Sequence, residues 1–169
     1  MKFKTKPLNE PSTFRQLAEV LPLEAPFSIL IDPCNLCNFK CSFCPTGNSQ
    51  LLAKVARPNG MMDFSLFCKI IDDVGRFGQK LEKINLYKDG EPFLNRNLVK
   101  MIAYAKEKKI AKNISVTSNG LLINKLKAIE IIEAGLDSIR ISVEHVTDAG
   151  YKKLTRTPTQ YESIRQNVE

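Results

Sequence analysis

Four cysteines lie within eleven residues of this 169-residue chain: Cys34, Cys37, Cys41 and Cys44. Thiolates are the ligands that zinc and iron–sulfur clusters prefer, whereas disulfides require an oxidising compartment. The N-terminal segment is basic but lacks the apolar stretch of a secretory signal, so we expect a metal or cluster site. The fifth cysteine, Cys68, lies among apolar residues at helical spacing and is predicted to be a buried core thiol.

The spacing of Cys37, Cys41 and Cys44 is C-x3-C-x2-C. Three thiolates can each bind one iron of a cubane cluster and leave the fourth iron open, and an open position indicates chemistry. Two alternatives add Cys34 as a fourth ligand: an iron–sulfur electron-transfer protein, or a structural metal-binding module. The order of the spacers differs from the bacterial ferredoxin run, and the cysteine pairs leave little room for zinc loops. We therefore predict that Cys34 neighbours the site without being a ligand.

Short apolar segments and helical patterns alternate along the chain. Strands are predicted at 27–31, 83–87, 114–117 and 138–143, and helices at 13–20, 64–74, about 97–109, about 124–134 and from about 148 to the end with a break near Pro158. This alternation is typical of βαβ units and a parallel α/β sheet. A barrel and a doubly wound sheet both fit, and both bind ligands at the carboxyl ends of the strands.

A polar or unusual motif lies at the carboxyl end of each predicted strand. The cysteine loop lies at the end of the first, Asp-Gly-Glu-Pro (89–92) of the second, Thr-Ser-Asn-Gly (117–120) of the third and Ser-Val-Glu-His (142–145) of the fourth. Because the carboxyl ends of parallel strands meet at one edge of the sheet, these motifs are expected to form one site.

The cysteine spacing, placed after a strand in a chain of repeated βα units, resembles the signature of the radical SAM family. The resemblance extends from about Phe27 to the C-terminus. It implies a partial, TIM-like (βα) barrel of about four units out of six, so we expect a truncated chain or one that a second chain completes. Residues 1–26 are then an N-terminal extension with a short helix, and residues 27–169 an incomplete radical SAM core domain.

The resemblance also implies a chemistry. Cys37, Cys41 and Cys44 look like the ligands of a [4Fe–4S] cluster whose open iron is chelated by S-adenosylmethionine (SAM). One electron from an external donor of the flavodoxin or ferredoxin type would cleave SAM into methionine and a 5′-deoxyadenosyl radical, which abstracts hydrogen from an unidentified substrate. A non-enzymatic module, in which half a barrel keeps the cluster without binding substrate, is a further alternative.

Seven residues resemble the family's SAM contacts. The implied contacts are Phe43 near adenine, Gly90 and Glu91 near the methionine amino group, Ser118 and Asn119 in the turn after the third strand, and Ser142 and Glu144 near the ribose hydroxyls and the methionine end. The chain departs from the family at Asp89, where a first glycine is common. His145 is predicted to be structural or solvent-exposed, and no catalytic residue is identified.

Composition and charge restrict the possible functions less than the motifs do. The chain is 43% hydrophobic and 25% charged, as in an ordinary globular protein, and no apolar run approaches the ~18 residues of a membrane span. A cytoplasmic location is expected. The formal net charge is +7, but the basic residues are scattered, so nucleic-acid binding is not indicated.

Overall fold

A computed structural model describes residues 17–19 and 21–169 of the chain. The strands are β1 (Ser28–Leu30), β2 (Leu81–Asn85), β3 (Ala111–Ser118) and β4 (Ser138–Ile141), and the helices are α1 (Ser49–Lys54), α2 (Phe64–Gly75), α3 (Leu98–Glu107), α4 (Lys125–Glu133), α5 (Asp148–Thr155) and α6 (Tyr161–Val168). Of the predicted N-terminal helix, only a 3-10 turn at Leu17–Glu19 belongs to the described residues. None of the helices in the described part of the chain has the length and apolar character needed to cross a bilayer.

The strands form one parallel sheet in the order β1-β2-β3-β4. Their register aligns Ile29 with Ile84, Ile84 with Ile114, and Val116 with Ile139. Each strand lies beside the one before it, with no reversal of order, as in consecutive units of a (βα) barrel. The prediction of a partial α/β barrel with parallel strands is confirmed, and all four strands end at the same edge.

Helices cover one face of this sheet. Apolar side chains of β2 and β3 pack there against the amphipathic faces of α2, α3 and α4, whose buried residues recur at helical spacing: Phe67, Ile71, Val74, Leu98, Met101, Ile102, Ala105 and Ile131. Full burial of one large apolar side chain contributes about 1.5–3 kcal/mol. This core holds the strand ends in fixed positions.

The opposite face of the sheet carries mostly polar side chains on β2, β3 and β4. Ser115 Oγ donates a hydrogen bond to Asn85 Oδ1 at 2.8 Å, and Ser138 Oγ lies 3.2 Å from Asn113 Oδ1. Because side chains alternate along a strand, Lys83 also lies on this face. A helix-covered apolar face and a polar face are what a barrel wall with a polar interior requires.

Several predictions of element limits or burial are wrong. Strand β4 ends at Ile141 and not at position 143, so Ser142 and Glu144 lie just beyond the strand. The sequence pattern does not predict helix α1, because this helix is short and buries no side chain. Cys68 is half-buried and not a core thiol, since its neighbour Phe67 occupies the buried face of α2.

Candidate functional site

The cysteine loop, residues 31–48, leaves the carboxyl end of β1 and packs against α5. Phe39 is only 3% exposed. Its ring packs edge to face against the ring of Tyr151, with 6.2 Å between the ring centroids. The backbone amides of Lys40 and Ser42 donate to carbonyl oxygens in the last turn of α5 at 2.9 Å. The final carbonyls of a helix have no partner within it, so the loop satisfies them and is held in place.

The thiols of Cys37 and Cys41 lie in surroundings that disfavour their ionised form. Burial, together with the charges of Glu144 and the other two thiols, raises the pKa of Cys41 to about 12. Burial also raises the pKa of Cys37, and the charges of Glu91 and Cys44 add to the effect. Thiols that disfavour each other's negative charge ionise readily only around a cation. This donor set suits a cluster of iron ions.

Cys34 has different neighbours from the other three cysteines. It is buried, its Sγ faces the carbonyl oxygen of Leu36 at 3.6 Å, and its backbone forms an antiparallel bridge with Met61. Burial raises its pKa, and the charges of Asp32 and Glu91 contribute, but no other cysteine does. The structure thus places Cys34 in the buried first part of the loop. That it is not a ligand stays a prediction.

In the part of the chain that the structure describes, no three His, Cys, Asp or Glu side chains are grouped closely enough to hold a single metal ion. A cubane cluster makes a different demand on its ligands, because each thiolate binds a different iron.

The turn at 89–92 packs directly on the cysteine loop. The amide of Glu91 donates to the carbonyl oxygen of Leu36 at 2.8 Å. A Cβ on Gly90 would overlap the carbonyl oxygens of Cys34 and Leu36, so this close approach of two backbones requires glycine. Gly90 therefore sets the distance between the second strand end and the cysteine loop.

Asp89, the departure from the family pattern, joins the same turn to the rest of the loop. Its carboxylate pairs with Arg57, with 2.8 Å between Nη1 and Oδ2, and its carbonyl accepts a hydrogen bond from the hydroxyl of Thr46. Its amide donates to Asp32 Oδ2 at 3.3 Å. Neither Arg57 nor Thr46 lies in a motif, so no sequence signal identifies them as part of the site.

The carboxylate of Glu91 connects two strand ends. It is 2% exposed and accepts hydrogen bonds from the amide of Phe93, the hydroxyl of Ser118 and the amide of Asn119, at 2.8 to 3.0 Å. Burial raises the pKa of Glu91, and these donors act in the opposite direction. The resemblance implies that the Glu91 carboxylate contacts the methionine amino group of SAM. In the structure, both carboxylate oxygens accept hydrogen bonds from the protein itself.

The turn after β3 reaches back to the cysteines. Gly120 has a φ of +80°, a left-handed conformation that favours glycine, and its amide donates to Ser118 Oγ at 3.0 Å. The preceding side chain, Asn119, lies with its Nδ2 2.7 Å from Asn38 Oδ1 and 3.9 Å from Cys37 Sγ. Ser118 shapes the turn, and Asn119 contacts the cysteine loop.

The segment after β4 lies at the same edge. The amide of Ser142 donates to the carbonyl oxygen of Ser118 at 2.8 Å. Burial raises the pKa of Glu144, whose charge in turn acts on the thiol of Cys41. The hydroxyl of Tyr151 lies 3.5 Å from the carbonyl oxygen of Ser142 and 3.4 Å from the amide of Glu144. Tyr151 therefore links this segment to α5 and the cysteine loop.

Two further candidates lie at the surface. Phe43 is 61% exposed, so its ring is available to a ligand, and Phe39 is the aromatic residue that anchors the loop. His145 is exposed, and its Nδ1 lies 3.1 Å from the amide of Thr147, next to the start of α5. The structure thus places His145 in a local turn.

A family model described as the Radical SAM superfamily matches residues 31–169. The chain belongs to the radical SAM superfamily. Members of this superfamily use a [4Fe–4S] cluster and SAM.

Two relatives match this radical SAM chain over part of their own length. It is 33% identical over 134 residues to a "Probable GTP 3',8-cyclase" of Methanococcus maripaludis, covering 79% of this chain and 41% of the relative. It is 30% identical over 130 residues to a protein of the same name in Methanocaldococcus jannaschii, covering 76% and 40%. The chain therefore spans about two fifths of the length of these relatives.

A solved structure shares the fold of this radical SAM chain. BtrN in complex with AdoMet and 2-DOIA superimposes with a TM-score of 0.58 and 20% identity, over 75% of this chain and 51% of that one. The similarity extends over about half of the BtrN chain, in agreement with a partial barrel.

The residues present fit the superfamily's cofactors. The thiols of Cys37, Cys41 and Cys44 supply the donor chemistry, and the buried Nδ2 of Asn38 has no acceptor among the described residues. Buried donors in proteins are nearly always satisfied, and the sulfurs of a cluster are suitable acceptors. The sequence motifs do not identify Asn38 as a site residue. The only signal in the sequence is its position next to Cys37.

Proposed function

We propose that residues 27–169 are the incomplete core domain of a radical SAM enzyme in which Cys37, Cys41 and Cys44 bind a [4Fe–4S] cluster. The observation that carries the proposal is the setting of the loop cysteines: burial and neighbouring thiols raise the pKa values of Cys37 and Cys41, and the buried Nδ2 of Asn38 beside Cys37 has no acceptor among the described residues. When bound, the cluster and SAM supply one-electron reductive cleavage of SAM and hydrogen abstraction from a substrate. The chain's own residues hold both cofactors and exclude water.

We assign the SAM contacts to the four strand ends. Gly90 holds the turn after β2 against the cysteine loop, beside the methionine end, and the buried carboxylate of Glu91 holds Ser118 and Asn119 in position. The exposed ring of Phe43 is suited to stack on adenine. The two polar residues that follow β4, Ser142 and Glu144, provide groups for the ribose hydroxyls and the methionine end.

We propose a nucleoside triphosphate, with GTP the first to be tested, as the substrate class. Two relatives are named for a reaction of GTP. The polar face of the sheet also carries two cationic side chains, Lys83 on β2 and Arg140 on β4, and Arg140 is exposed. Cations on a polar barrel wall would attract a triphosphate. The remaining substrate contacts would come from the rest of the barrel, whether it continues this chain or belongs to a completing chain.

We also propose an external electron donor of the flavodoxin or ferredoxin type. The chain has five cysteines, of which three are assigned to one cluster and Cys34 is buried within the loop. These residues assign one cluster to the chain, and an external donor would supply the electron that reduces it.

The cluster assignment is tested by anaerobic reconstitution. We expect about four irons per chain and a reduced-cluster EPR spectrum that changes when SAM is added. With dithionite as reductant, SAM should be converted to methionine and 5′-deoxyadenosine. An EPR spectrum indifferent to SAM would contradict the proposal and favour an electron carrier.

The substrate class is tested by binding of GTP to the reconstituted protein, measured by equilibrium dialysis. We expect Lys83→Gln to weaken GTP binding several-fold. Lys112→Gln is the matched control, because Lys112 is an exposed lysine of β3 that pairs with Glu82 and lies outside the polar face. Equal affinity in all three proteins would exclude Lys83 from the substrate site and leave the cluster assignment intact.

A further inference from the structure

Cys37 differs from the other two proposed ligands in the hydrogen-bond donors that face its sulfur. The amide of Phe39 donates to Cys37 Sγ at 3.4 Å, and Asn119 Nδ2 lies 3.9 Å from the same sulfur. Among the described residues, no side chain donates to the sulfur of Cys41 or Cys44. Hydrogen bonds to cluster sulfurs are one of the determinants of reduction potential.

The orientation of the Asn119 side chain is fixed by its own neighbours. Its Oδ1 accepts the amide of Leu121 at 3.0 Å, and its backbone amide donates to the buried carboxylate of Glu91 at 2.8 Å. The residue is 8% exposed. Rotating the side-chain amide by half a turn would break the bond from Leu121, so Nδ2 stays directed at the cysteine loop.

The side-chain nitrogen of Asn119, Nδ2, carries two hydrogens, and one of them is donated to Asn38. Asn38 Oδ1 accepts from Asn119 Nδ2 at 2.7 Å, which leaves the second hydrogen of Nδ2 for Cys37 Sγ. The protonated thiol of Cys37 also faces Asn38 Oδ1, at 3.9 Å. A thiolate bound to iron has no proton to donate, so the amide hydrogen of Asn119 becomes its polar side-chain partner.

We propose that Asn119 donates a hydrogen bond to the Cys37 thiolate and thereby raises the reduction potential of the cluster. This inference rests on the proposed function, because it requires Cys37 to bind iron. Reduction adds one negative charge to the cluster and its sulfurs. A donor to a sulfur stabilises the more negative state more strongly than the oxidised one, so the cluster accepts an electron more easily.

The test is an EPR-monitored redox titration of the reconstituted protein. SAM is left out, so that the measured potential is that of the cluster alone. Asn119→Leu removes the donor, and we expect a reduction potential more negative than that of the wild type. Asn119→Asp keeps the side-chain size and the acceptor for Leu121 but replaces the donor by an anion, so its potential should be the most negative. Because Asn119→Asp is isosteric, its reduction potential still tests the proposal if the leucine variant does not fold.

Asn124→Leu is the matched control. The side chain of Asn124 also accepts a backbone amide, that of Lys127 at 2.8 Å, but it caps the exposed start of α4. We expect the potential of this variant to equal that of the wild type. The proposal is supported if both Asn119 variants shift to more negative potentials and Asn124→Leu does not.

Two results would overturn the inference. One is a wild-type potential in both Asn119 variants with full iron content, which leaves the proposed function standing. The other is an equal shift in Asn124→Leu, which would indicate a general loss of stability. A wild-type protein that assembles no cubane would remove the proposed function, and the inference with it.

Discussion

At the scale of single residues, the site is a set of thiols whose surroundings disfavour the ionised form. Burial and neighbouring negative charges raise the pKa values of Cys37 and Cys41. Such a setting is unfavourable for the protein alone and favourable once several iron ions compensate the charge. The pH dependence of cluster assembly follows from this property.

The first prediction distinguishes three ligands from four. Cys41→Ala removes one proposed iron ligand, so the reconstituted variant should lose the cubane absorption and EPR signals. Cys34→Ala should keep about four irons per chain, because Cys34 interacts with the carbonyl oxygen of Leu36 and not with the other thiols. Loss of iron in the Cys34 variant at unchanged fold would show that the ligand assignment is wrong.

The second prediction concerns pH. Because the pKa of Cys41 is raised to about 12 and that of Cys37 is also raised, both free thiols are protonated at neutral pH, and iron binding must release these protons. Cluster assembly should therefore weaken as pH falls. At limiting iron, we expect less iron to be incorporated at about pH 6 than at about pH 8. Incorporation independent of pH over this interval would contradict the assignment of these thiols as ligands.

At the scale of elements, the site depends on turns that pack against each other at the carboxyl edge of the sheet. Glu91 connects the turn after β2 with the turn after β3, and Gly90 sets that turn against the cysteine loop. Tyr151 and Phe39 connect α5 with the loop from the other side. A small displacement at any of these contacts would move the cysteines.

The third prediction tests the closest of these contacts. Gly90→Ala places a methyl group against the carbonyl oxygens of Cys34 and Leu36, so the backbone must shift. We expect the free energy of unfolding to fall by about 1–3 kcal/mol, measured by urea denaturation. Gly60→Ala is the control, because a Cβ there meets no atom within 4 Å, and it should change stability by less than about 0.5 kcal/mol. Equal effects in the two variants would contradict the proposed contact.

At the scale of the whole molecule, the four strands form an asymmetric sheet. Strands β2 and β3 have a neighbour on each side and the helical core on one face. Strand β4 pairs only with β3 among the described residues, and Ile139 on it is 41% exposed. Stability is therefore expected to be distributed unevenly along the chain.

The fourth prediction follows from this asymmetry. In the 169-residue chain, the backbone amides of β2 and β3 should exchange with deuterium most slowly, because only global unfolding exposes them. The amides of β4 should exchange faster, through local opening. Hydrogen-exchange mass spectrometry would resolve the difference, and equal protection of β3 and β4 would show that the sheet opens as one unit.

The sequence by itself determined the features that depend on near neighbours. The C-x3-C-x2-C spacing and the alternation of strands with helices indicated the superfamily and a parallel sheet. The motifs after each strand indicated the edge that carries the site. These patterns can be read locally, because side-chain periodicity and turn chemistry are properties of short segments.

The tertiary structure alone decided which partners these residues have. Asn119 and Cys37 are 82 positions apart, and Arg57 and Asp89 are 32 apart, yet each pair is brought together at the strand ends. The same packing engages the carboxylate of Glu91 internally and makes Phe39 the anchor of the loop. No spacing rule specifies such contacts, because they depend on how separate βα units pack on a common core.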